Sequence, residues 1–113
     1  MIYLHYNLSK EEWFFLPITE QIANIGTEIG RTINWKSKDA KKSAAAFDRA
    51  LELLDLTIED KKNHGSSLRE LCRLKAALVD YFMGKNEYGS SETLWNNYFY
   101  FFNNIASVKY FKQ

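Results

Sequence analysis

Ile18, Ile22, Ile25, Ile29 and Ile33 follow one another at spacings of 4, 3, 4 and 4. That interval is the α-helical period, and it lines the five isoleucines along one apolar stripe. The same period returns along the chain. Ala40, Ala44, Phe47, Leu51, Leu54 and Ile58 make a coiled-coil-like seam, widened by Ala46, Ala50 and Leu53. Leu68, Leu71, Leu74, Leu78 and Phe82 form a third stripe, flanked by Cys72 and Val79, and Leu94, Tyr98, Phe101, Ile105 and Val108 a fourth. The alternation expected of a half-buried strand is nearly absent; residues 1–7 hint at it but are too short to found a sheet. The expected fold is therefore all-α: an antiparallel, up-and-down four-helix bundle in a single domain covering residues 1–113.

Punctuation between the stripes supports this division. Ser9 and Glu12 have capping-box spacing, and Leu8 and Trp13 the spacing of a hydrophobic staple. Pro17, the only proline, predicts a kink or a short extra helix before the isoleucine stripe. Gly26 and Gly30 lie on or beside that stripe, where each weakens a helix by about 1 kcal/mol relative to Ala. Either a neighbouring helix approaches closely there, or the glycines are merely tolerated. Residues 34–42, 60–66 and 84–91 are polar connections. Ser67 and Glu70 repeat the capping-box pattern, Gly84 stands where a glycine would stop the third long helix, and Ser90 or Ser91 is placed to cap the fourth.

Fifteen basic and 14 acidic side chains leave a net charge of +1, spread over both halves of the chain. Such a balance argues against binding nucleic acid through charge alone. The single cysteine, Cys72, excludes an internal disulfide and a cysteine-rich metal framework. No apolar run reaches the roughly 18 residues of a membrane span, and no signal peptide opens the chain. The expectation is a small cytoplasmic globular protein.

The fourth helix stands apart. Of the 18 aromatic residues, eight fall between Trp95 and Phe111, while no charged residue occurs from Thr93 to Val108. Its apolar residues exceed the width needed to pack against one side of a bundle. One reading makes it the most buried helix. The other makes Trp95, Tyr98, Phe99, Phe101 and Phe102 a homodimer or partner interface centred on Trp95, Phe99 and Phe102, since such surfaces are rich in aromatics and poor in charge. Base stacking is disfavoured because no cation is interleaved with the rings.

Motifs for catalysis are missing. His5 and His64 belong to no Glu-x-x-His pair, no metal or cofactor is expected, and no catalytic residue is assigned. The stripe Asp48, Glu52, Asp55, Glu59 has lysines and Arg49 nearby and reads as a solvated face. Cys72, among leucines, reads as a small buried hydrophobe. The densest basic cluster is Arg69 and Arg73, one turn apart near a helix start, with Lys62 and His64 before them. Arg69, Arg73 and His64 are the candidates for holding an anion or phosphate.

Four helices in this length, with AAAFDRALELLDLTI (44–58) on the second, resemble the HEPN class of small helical domains. The resemblance implies dimerisation, and either work beside a nucleotidyltransferase or RNase activity. The RNase members carry an Arg four to six residues before a His. Ile58, Glu59 and Asp60 precede His64 at that spacing, and His5 has no room for the motif, so the nuclease activity is not implied. The NEY…WxNYFYxF tail is also similar to that of other small prokaryotic proteins. Two functions follow as expectations: a non-catalytic bundle acting through self-association or partner binding, or a HEPN-type accessory that binds a nucleotide or RNA phosphate.

Overall fold

The computed structural model describes the backbone of residues 2–3 and 8–111 and the side chains of residues 9–104. Apart from a two-residue antiparallel pairing of β1 (Ile2–Tyr3) with β2 (Leu8–Ser9), the described chain is all-α. Its helices are α1 (Lys10–Phe15), α2 (Ile18–Trp35), α3 (Ala40–Glu59), α4 (Ser66–Met83) and α5 (Glu92–Phe111). None of them is long and apolar enough to cross a membrane.

Helix boundaries follow local chemistry. The capping box forms as expected: Ser9 Oγ accepts from Glu12 N–H at 3.2 Å, and Glu12 Oε1 accepts from Ser9 N–H at 3.3 Å. The Leu8 half of the staple lies outside the described side chains. Pro17 produces the short extra helix: α1 ends at Phe15, and Pro17, with φ −60°, caps α2 through its carbonyl. Asp39 caps α3 by accepting from Lys41 and Lys42 N–H at 3.1 and 3.2 Å. Ser91 caps α5, accepting from Leu94 N–H at 3.1 Å.

The second capping box does not form. Gly65, with φ +61°, turns the chain so that α4 begins at Ser66, which leaves Ser67 already inside the helix. The Glu70 carboxylate is taken instead by the Tyr98 hydroxyl at 3.2 Å. Gly84 ends α4 as expected, but in extended backbone rather than the left-handed region. Its need for glycine is spatial, because a Cβ there would lie 3.0 Å from the Asp80 carbonyl oxygen. The left-handed turn falls at Asn86, with φ +56°, while the Asp80 carboxylate gathers Glu87 and Tyr88 N–H at 2.8 and 3.0 Å.

α2 is the hub, packing most extensively on α3 and then on α5; α3 also carries α4 and α1. Paired contacts run in opposite directions along α2 and α3, from Gln21–Asp60 through Glu28–Arg49 to Thr32–Ser43. Lys75–Asp55 at 2.6 Å and Phe47–Phe82, with ring centroids 5.0 Å apart, show the same for α3 and α4. The core joins Ile22, Ile25 and Ile29, Leu53, Leu54 and Leu56 of α3, Leu71, Leu74 and Leu78 of α4, and Trp13, Trp95 and Phe99.

The α3 seam is rotated from the expected one. Ala40 and Ala44 are exposed, and the buried line runs through Ser43, Ala46, Ala50, Leu53 and Thr57. Small residues along that line let α2 approach, and Trp13 of α1 claims Thr57. The acidic stripe Asp48, Glu52, Asp55, Glu59 is exposed, with Asp55 and Glu59 paired to Lys75 and Lys10. Cys72 is exposed rather than buried. With Leu71, Leu74 and Leu78 turned inward, the residue next to Leu71 is carried about 100° away from the core.

One end of the core is polar. Gln21 Nε2 donates to the Trp13 carbonyl at 3.1 Å and to Asp60 Oδ2 at 2.9 Å. Asn63 Nδ2 donates to Gln21 Oε1 and to the Thr57 carbonyl, both at 3.0 Å. Trp13 Nε1 donates to Thr57 Oγ1 at 3.1 Å, and Lys62 Nζ pairs with Asp60 and with the Phe14 carbonyl. These bonds tie α1, α2 and the α3–α4 turn together. Burial alone raises the Asp60 pKa, but the hydrogen bonds from Lys62 and Gln21 outweigh it and hold the carboxyl below its ordinary value.

Candidate functional site

α5 divides its aromatic residues between two tasks. Trp95 and Phe99 are 3% and 6% exposed, their rings stacked at 6.2 Å. Phe99 lies directly on α2: a Cβ added to Gly26 would come within 2.7 Å of the Phe99 Cβ, Cγ and Cδ1 atoms. Gly26 thus admits the ring, so of the two alternatives for the glycines, close approach applies at Gly26 and tolerance at Gly30. Gly30 has open space where a Cβ would stand. Trp95 Nε1 has no hydrogen-bond partner among the described residues.

Tyr98 and Phe102 are half-buried beside these rings, with Tyr98–Phe102 centroids 5.2 Å apart. Burial, reinforced by the Glu70 carboxylate it hydrogen-bonds, pushes the Tyr98 phenol well above its ordinary pKa, so it stays a neutral donor.

The opposite side of the helix is exposed, with no cover among the described residues. Phe101 is 59% exposed, Tyr100 66% and Leu94 47%. The Phe101 ring stands edge-on to Phe102 at 5.4 Å, so an exposed aromatic is buttressed by a half-buried one. Asn97 and Asn104 share its side of the helix, Asn96 and Asn103 lie toward α2, and no charged residue occurs in the sequence from Thr93 to Asn104. Beside this face runs an open cleft of about 270 Å³, between Gly26, Ile29 and Gly30 of α2 and Asn96, Tyr100 and Asn103 of α5.

Of the five residues expected at an interface, Trp95 and Phe99 are therefore committed to the core, Tyr98 and Phe102 partly so, and Phe101 is free. The uncovered surface is centred on Phe101 and Tyr100, not on Trp95, Phe99 and Phe102. The aromatic helix is thus buried on one face and exposed on the other.

The basic cluster is exposed throughout. Arg69 and Arg73 lie one turn apart near the start of α4, His64 stands just before its Gly65 cap, and none of the three forms an ion pair among the described residues. Glu70, the nearest acidic neighbour, is occupied by Tyr98. His5 lies outside the described residues. No group of three or more His, Cys, Asp or Glu side chains placed to hold a metal occurs among the described residues.

The buried polar residues escaped the sequence reading. Gln21, Glu28 and Thr32 of α2 are 0%, 0% and 2% exposed. With Ile25 they step by 4, 3 and 4, a second stripe parallel to the isoleucines. That spacing is the signal that locates them; polar residue types at these positions hide it. The Glu28 carboxylate meets Arg31 Nη1 at 2.8 Å and Arg49 Nε at 3.2 Å. Comparison of the chain with family models, curated proteins and solved structures returned no match.

Proposed function

We propose that this protein is an antiparallel, up-and-down four-helix bundle, supplemented by α1, that acts without catalysis by self-association through the outer face of α5. The observation that carries this reading is Phe101, 59% exposed in the middle of a charge-free face and backed by Phe102. An exposed aromatic anchor set in neutral amide-bearing residues has the composition of an interface centre. A face without charge meets its own copy without repulsion, and a two-fold axis presents the same patch twice. Replacing Phe101 by Glu tests it: the variant should stay folded and become monomeric at concentrations where the parent chain is a dimer.

A second reading is a HEPN-type accessory that holds a nucleotide or RNA phosphate at Arg69, Arg73 and His64. What favours it is the exposure of these side chains without an ion pair among the described residues. Replacing both arginines by Ala should then abolish low-salt binding of a short RNA or a nucleotide. Binding that survives the double change, or none in the parent chain, removes this reading.

A further inference from the structure

We infer that the cavity where α2, α3 and α4 meet binds a free α-amino acid with an apolar side chain, its carboxylate held by Lys36 and its ammonium by Asp48. The cavity measures about 290 Å³, and Lys36, Ala40, Ala44, Phe47, Asp48 and Phe82 line it together with Met83. That volume lies just below the roughly 300–1,000 Å³ usual for ligand sites and suits a molecule of amino-acid size.

The walls follow from the sequence. Ala40, Ala44 and Asp48 stand at intervals of four on α3, so one line of that helix presents two methyl groups and then a carboxylate. Both alanines are exposed, and their small side chains leave open the space that larger residues would close. Phe47 and Phe82, with ring centroids 5.0 Å apart, make an aromatic wall. Met83, 69% exposed, adds an apolar wall able to adapt its shape.

The polar groups of the cavity divide into those already engaged and those left over. Ser43 Oγ donates to the Thr32 carbonyl and Thr32 Oγ1 to the Glu28 carbonyl, both at 2.8 Å. Lys36 and Asp48 form no ion pair among the described residues, either with each other or with another side chain. Lys36 Nζ stands 4.8 Å from the Tyr81 ring centroid and 5.9 Å from that of Phe82. The rings hold the ammonium in place without neutralising its charge. Opposite charges therefore line one apolar cavity without closing on each other. A ligand carrying both charges complements both; a lone anion or cation complements one and is repelled by the other. The rest of its surface must be apolar to displace water from Phe47, Phe82 and the alanines. An apolar α-amino acid combines these features.

Isothermal titration of the full chain with L-leucine and L-phenylalanine tests the site, with N-acetyl-L-leucine lacking the ammonium and L-leucinamide lacking the carboxylate. Saturable binding of an amino acid at one per chain is expected, with both derivatives at least tenfold weaker than L-leucine. Lys36→Met, which keeps the apolar stem, and Asp48→Asn should each weaken binding at least tenfold. Ala44→Leu places a strong helix former at an exposed position; it should preserve the circular-dichroism spectrum and abolish binding. Phe101→Glu should leave binding unchanged, which separates this site from the α5 face. Absence of saturable binding of both amino acids overturns the inference, as does binding that Ala44→Leu or Lys36→Met leaves intact, or loss that tracks Phe101→Glu. Derivatives that bind as tightly as L-leucine overturn the assignment of a ligand bearing both charges.

Discussion

Asp60 shows how much of this fold hangs on single polar side chains. It is 5% exposed and accepts from Gln21 while pairing with Lys62. Because its folded-state pKa is lowered, its contribution is present above the unfolded-state value of about 3.9 and is lost as pH falls through the folded value. Chemical denaturation of the parent chain and of Asp60→Asn from pH 6 downward should show the parent losing more stability below about pH 4. Parallel pH profiles would contradict this assignment. Asp60→Ala, which leaves Gln21 Nε2 without this acceptor, should cost about 1–3 kcal/mol at neutral pH. Gln21, Asp60 and Asn63 are ordinary surface residue types, and their burial depends on a partner 39 or 42 positions away. Nothing local to any one of them announces it.

Helices were legible wherever residue type and period agreed. The isoleucine stripe places Ile22, Ile25 and Ile29 in the core, and the Ser9 box, Pro17 and Ser91 mark boundaries through chemistry confined to a few residues. The α4 start was missed because Gly65, rather than Ser67, sets the entry turn, a choice made by backbone freedom and not by a cap. The α3 seam was misplaced by a fraction of a turn because alanine carries little directional signal. In α5 the apolar residues encircle too much of the helix for periodicity to say which side is covered. Gly26 and Gly30 look alike in sequence and separate only through Phe99. Gly30→Ala should therefore stabilise by about 0.5–1 kcal/mol through helix propensity. Gly26→Ala should destabilise by about 1–3 kcal/mol, because Phe99 must move. Thermal denaturation of the two variants tests this; equal shifts would deny the close α2–α5 approach.

At the scale of the whole molecule, α2 organises the packing and α5 closes against it, with a neutral aromatic face left exposed among the described residues. The aromatic content is thus divided: Trp95 and Phe99 hold the helix to the core, and Phe101 and Tyr100 face outward. In a two-fold interface a single change acts twice, so loss of a central anchor has a doubled effect. Sedimentation equilibrium of the parent chain and of Phe101→Glu across micromolar concentrations is the most direct test. A dimer for the parent and a folded monomer for Phe101→Glu, at least 100-fold weaker in association, is the expected result. A parent chain that stays monomeric, or a dimer that Phe101→Glu leaves intact, would contradict self-association through α5.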